Sequence, residues 1–268
     1  MLKKLMKHEF RATGRVMLPL YLLLVVTAVG ARVSISGMLA TNSTFMEILG
    51  SLLVVAFAVA MAAVCLLTAF LMVYRFYQNL LRDEGYVMMT LPVSIHQQVW
   101  SKLLVGVVWC AATVVVVVLS MFILAFEVGF WDQFITFAGQ VWDFLRSEAG
   151  INGLLVMLET AVVCVLGVCS AYLEFCCALS IGHSFANHKL LWSIAAYFGM
   201  DAAVTVAAGP VINVLHSTGL FDRISIAAES AAQTVHLALW ISALVCLVSA
   251  AFYYAITTWF LKNRLNLE

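Results

Sequence analysis

The chain has 268 residues, of which 64% are hydrophobic and 10% charged, with fourteen basic and fourteen acidic side chains that cancel. Soluble domains are about 45–50% apolar and roughly 25% charged, and a protein of this size has no interior large enough for the surplus. A mean hydropathy of +1.04 excludes a soluble enzyme, a disordered chain and a secreted disulfide scaffold, and leaves a polytopic membrane protein.

Taken from the start, residues 1–13 place Leu2, Leu5, Met6 and Phe10 on one face and Lys3, Lys4, Lys7 and Arg11 around the other. That pattern predicts a basic amphipathic helix lying in the membrane interface. The beginning imitates a signal peptide, with the apolar run 16–29 followed by Val29-Gly30-Ala31. The region before the run is long and amphipathic, however, and more spans follow, so a retained first helix is expected. A helix needs about 20 apolar residues to cross the hydrocarbon core. Six stretches qualify: 14–33, 52–74, 103–126, 154–181, 190–214 and 235–261. Arg15 and Arg32 sit at the ends of the first, where long side chains snorkel to the headgroups. Pro19 and Pro210 fall inside spans, which membrane helices tolerate.

Between the third and fourth spans, residues 127–150 carry Phe130, Phe134, Phe137, Val141 and Leu145 at helical spacing, with Trp131 and Trp142 beside them. This predicts a surface helix, either with its tryptophans at headgroup level or packed on other loops of the same face. The expected fold is an all-α membrane protein, a single domain over 1–268. Six crossings put both termini on one side. Eleven Lys and Arg residues fall on that side and three (Arg32, Arg146, Arg223) on the other, which predicts cytoplasmic termini.

Chemistry-bearing motifs are sparse. The seven cysteines lie in apolar runs without zinc-site spacing and read as small core residues. His183 and His188 have no third ligand nearby. No lysine follows a glycine, so there is no P-loop, and no nucleotide fingerprint or nucleophile elbow occurs; the chain is not expected to be an enzyme. Three acids lie within spans: Glu159, Glu174 and Asp201. Charges at mid-membrane usually face a cavity or a partner. Asp201 reads equally as part of a translocation pathway or as a structural acid, whereas Glu159 and Glu174, nearer the polar interfaces, favour hydrogen-bonded bundle packing.

The loop 75–102 is longer than a bare connector requires. Phe76 to Leu81 forms a short amphipathic turn, Asp83-Glu84-Gly85 breaks it, and Pro92 prevents a long continuation. The run Asp83-Glu84-Gly85-Tyr86, then Thr90-Leu91-Pro92-Val93-Ser94 and Ser101-Lys102, resembles the signature loop of ABC transporter permeases of the type-2 exporter class, in particular the roughly 250-residue permeases of Gram-positive gut bacteria. Ser180-Ile181-Gly182 with Asn187-His188-Lys189, the start Lys7 to Phe10 and the tail 262–268 are similar to theirs as well.

The resemblance implies a six-helix permease of the bacterial plasma membrane, paired with an identical or homologous permease. A separate ATPase subunit would hold ATP and Mg, with no cofactor in this chain and no nucleic-acid partner. It implies ATPase coupling through Phe76, Tyr77, Leu80, Arg82, Asp83, Glu84, Gly85 and Tyr86, and it places Asp201 near the pathway. A re-entrant element over 216–234 is a further feature of the class. The expected function is export of an amphipathic or hydrophobic substrate (peptide, drug or lipid-like). The rivals are a proton-coupled secondary transporter using Asp201, Glu159 or Glu174, and a non-transporting immunity or sensor partner.

Overall fold

The computed structural model describes residues 2–40, 44–81, 93–126, 130–143, 153–185, 187–217 and 231–263. They form seven α-helices: α1 Leu2–Ala40, α2 Thr44–Leu81, α3 Ile95–Ala125, α4 Phe130–Asp143, α5 Gly153–Gly182, α6 Lys189–Ser217 and α7 Ala231–Asn263. Five of them, α1, α2, α3, α5 and α7, are long and apolar enough to cross a membrane, as a multi-pass membrane protein requires. The expected fifth span is helical too, as part of α6, which is 29 residues long.

One expected boundary is missing. Residues 1–13 were expected to lie apart from the first span, yet from Leu2 they run into it as one helix of 39 residues. At 1.5 Å per residue it is about 58 Å long, nearly twice a hydrocarbon core of about 30 Å. Nothing between Phe10 and Leu18 breaks it: Gly14 alone costs only about 1 kcal/mol. The Thr13 hydroxyl also donates to the Glu9 carbonyl at 2.7 Å, within the helix. Leu2, Leu5, Met6 and Phe10 are half-buried while Lys3, Lys4, Lys7 and Arg11 are exposed, and Glu9 on the same segment is buried.

The chain divides into two compact units, one made of Met1–Arg75 and Gln97–Thr136, the other of Phe76–His96 and Phe137–Glu268. In the first, α1 buries Met17, Tyr21, Leu24, Ala28 and Ala31, alternating four and three residues apart. That spacing is the seam of left-handed helix packing. On α2 the buried stripe is Phe57, Ala60, Val64, Thr68 and Met72, and α3 contributes Leu103, Val105, Trp109 and Thr113. Leu18, Leu22, Val26 and Leu66, each more than 60% exposed, point away from these seams, as a lipid-facing surface demands.

In the second unit α5 packs on both α6 and α7. Burial is concentrated toward the end of α5, at Tyr172, Leu173, Cys176, Cys177, Ala178 and Ser180. Ser170 and Ser249 share a hydrogen bond of 2.8 Å between α5 and α7. Gly182 closes α5 against Ser193 of α6 so tightly that a Cβ on it would stand 2.6 Å from the Ser193 Cα. The connection then turns at His188, whose φ is 54°, and its carbonyl accepts the first helical bond of α6 from Trp192 N at 3.1 Å.

Gly182→Ala should therefore force α6 away from α5 and cost about 1–3 kcal/mol, the usual range for overpacking. Thermal melting in detergent checks this. Gly167→Ala, where a Cβ meets nothing within 4 Å, should be neutral or slightly stabilising.

Candidate functional site

The first unit carries a polar ladder through its apolar packing. At its base the Lys102 ammonium donates to Glu9 Oε1 at 2.6 Å, and Arg75 Nη1 lies 4.0 Å from Glu9 Oε2. Glu9 is 6% and Lys102 5% exposed. A charge so far from water is kept only when paired, and removing one partner of such a pair costs roughly 3–5 kcal/mol. The ladder continues upward. Trp109 Nε1 donates to Thr13 Oγ1 at 2.8 Å, Tyr21 Oη shares a 2.7 Å hydrogen bond with Thr113 Oγ1, and Thr68 and Thr113 share another at 3.0 Å. The Trp109 ring stands 6.1 Å from Phe10 and 6.0 Å from Tyr21. Thr113 thus joins all three helices, and every rung satisfies a polar group that hydrocarbon would not.

Arg75 and Lys102 bound the loop 75–102. Both converge on a single carboxylate of α1, so the two ends of that loop are tied to the N-terminal segment. Sequence reasoning counted Lys102 only among the bases of the loop 75–102 and missed Glu9. The available signal was one acid set within the apolar stripe itself, seven residues after Leu2, four after Leu5 and three after Met6.

The expected coupling residues divide. Phe76 and Leu80 are fully buried and act here as packing residues, because the amphipathic turn continues α2 to Leu81 and turns these side chains inward. Tyr77 is half-buried, its ring edge-on to His183 at 5.3 Å. Arg82, Asp83, Glu84, Gly85 and Tyr86 lie outside the described residues, as does most of the expected re-entrant segment 216–234.

The intramembrane acids also divide. Glu159 meets α7: the hydrogen bond between His236 Nδ1 and Glu159 Oε2 is 2.6 Å, and Trp240 Nε1 donates to Oε1 at 3.0 Å. Glu159 is thus hydrogen-bonded between helices, and neither His236 nor Trp240 had been singled out. Glu174 and Asp201, on α5 and α6, come within electrostatic range of each other and of Tyr197 and Tyr253. Tyr197 stacks on Phe175 at 4.8 Å, and Cys177 donates to Met200 Sδ at 3.5 Å beside them. Glu174 is half-buried and Asp201 exposed, and acids at such a depth usually face a cavity or a partner.

No group of three or more metal-ligating side chains exists among the described residues, and all seven cysteines are free thiols. Comparison with family models, with curated proteins and with solved structures finds no match to this chain.

His183, just past the end of α5, is 3% exposed. Its Nδ1 donates to the Leu179 carbonyl at 2.9 Å. Burial pushes its pKa below the ordinary 6.5, and the Lys189 charge adds to this against the opposing carbonyl bond. Below pH 6.5 the unfolded chain takes up the proton before the folded one, so stability rises with pH in that window. The stabilisation is complete above about 6.5 and is lost as pH falls through the folded value. Melting temperatures in detergent should drop below pH 6.5, and His183→Gln should flatten that part of the profile.

Proposed function

We propose that the chain is the transmembrane permease subunit of an ATP-driven exporter, working beside a second permease and a separate ATPase. The observation that carries the reading is the convergence of Arg75 and Lys102 on Glu9. A force delivered by a soluble partner to the loop between them reaches α1, α2 and α3 together, because a paired buried charge cannot be pulled apart cheaply. The polar ladder from Thr13 to Thr113 extends the stiff region into the helices. The sequence has no lysine directly after a glycine, as a P-loop requires, so this reading assigns ATP hydrolysis to another chain. The apolar composition of the helices suits an amphipathic or hydrophobic cargo.

Purification in mild detergent from the native host tests this. A soluble ATPase of about 25–35 kDa, the size of an ordinary domain of its kind, should co-purify. Glu9→Gln should retain that subunit while lowering substrate-stimulated ATP hydrolysis. Lack of any ATPase, or wild-type stimulation in a monodisperse Glu9→Gln variant, counts against the reading.

The position of Glu174 and Asp201 on two helices that pack together, α5 and α6, favours a second reading, a proton-coupled transporter with these two acids as carriers. It predicts transport by the chain alone in liposomes under a pH gradient, abolished by Asp201→Asn. The exporter reading predicts no flux there without the ATPase.

A further inference from the structure

Arg32 was expected only to snorkel at the end of the first span. Its surroundings are more specific. The pairs Glu9–Lys102, Thr13–Trp109 and Tyr21–Thr113 advance together along α1 and α3, so these two helices run parallel. Arg32, later on α1, therefore lies level with the far end of α3 and the start of α4. It is twenty-three residues beyond Glu9, about 35 Å along the axis at 1.5 Å per residue. That separation matches a hydrocarbon core of about 30 Å, which sets Arg32 at the opposite membrane boundary from the Glu9 cluster.

Beside it opens a groove of about 800 Å³ walled by Val25, Leu119, Phe122, Ile123 and Phe126, with Arg32 and Trp131 completing it. Trp131 is held there by an aromatic cluster: its ring is 6.4 Å from Phe122 and 5.9 Å from Phe134, and Phe122 meets Phe134 edge-on at 5.4 Å. Among the described residues Arg32 has no hydrogen bond or ion pair. A half-buried guanidinium, unpaired, thus ends an apolar trough at headgroup depth, with a tryptophan at its side.

We propose that this groove binds one anionic phospholipid, its phosphate on Arg32 and an acyl chain along Val25, Leu119 and Ile123. The guanidinium fork matches a phosphate in a planar, bidentate manner, and Trp131 supplies the amphipathic ring that sits among headgroups. The wall offers the chain only hydrocarbon. An uncharged or zwitterionic lipid satisfies the trough but leaves the cation without net compensation.

The test uses the full chain in nanodiscs of equal phosphatidylglycerol and phosphatidylcholine with matched acyl chains, released into native mass spectrometry. Wild type should retain phosphatidylglycerol over phosphatidylcholine by about fivefold, the worth of one cation near an anionic surface. Arg32→Gln should remove the preference, and Arg32→Lys should keep most of it. Ile123→Trp, which fills the trough and leaves Arg32 in place, should lower retention of both lipids and so tests the site even if Arg32→Gln misfolds. Equal retention in wild type, or an undiminished preference in a folded Arg32→Gln variant, overturns the proposal. So does displacement of the lipid by millimolar inorganic phosphate, which would make the site a free-phosphate site. A loss of self-association in Arg32→Gln with lipid retention intact would overturn it in favour of a second copy of the chain.

Discussion

The first half of this protein is organised around one carboxylate. Glu9 stands on the apolar face of a segment whose opposite face is basic, and it is buried with Lys102 and near Arg75. An ion in that position is costly unless compensated, so its geometry restricts everything attached to it. It holds the N-terminal segment of α1 in line with the span above it. It also sets the register in which α1 and α3 rise side by side, from which the rungs at Thr13, Trp109, Tyr21 and Thr113 follow. Arg32 and Trp131 line one groove at the far end of these helices.

The second unit solves a different problem with smaller means. Its helices have no buried ion pair of that kind among the described residues; they approach through a glycine, serines and sulfur. Gly182 brings α5 onto Ser193, and Ser170 bonds Ser249. Such contacts rest on van der Waals fit and single hydrogen bonds, each worth about 1 kcal/mol or less between membrane helices. Polar groups then accumulate where packing is densest, toward Tyr172 to His183. Glu174 belongs to the same region.

Which residues were legible follows from what each one depends on. The helical segments were readable because apolar length is a local property, and α2, α3, α5 and α7 cover their expected spans. The helix at 130–143 was readable from its aromatic periodicity. Asp201 and Glu174 were conspicuous as acids in apolar runs, although their approach to each other was not visible. Glu159 was conspicuous too, but its partners His236 and Trp240 lie more than seventy residues away and carry no pattern of their own. That Phe76 and Leu80 are buried was not visible, because the amphipathic pattern does not state which side of a helix end is covered by other helices.

By itself, the sequence determined that this chain is helical and apolar enough to live in a membrane. Composition and hydrophobic run length decide that without reference to any contact, since every backbone group in hydrocarbon must be bonded within its own helix. Only the tertiary structure decided that Glu9 is the anchor of the loop ends, that residues 2–13 continue the first span, and that Arg32 faces an open apolar trough. Each of these depends on which distant side chain arrives beside a charge. A charge is indifferent to its neighbours in sequence and governed by those in space.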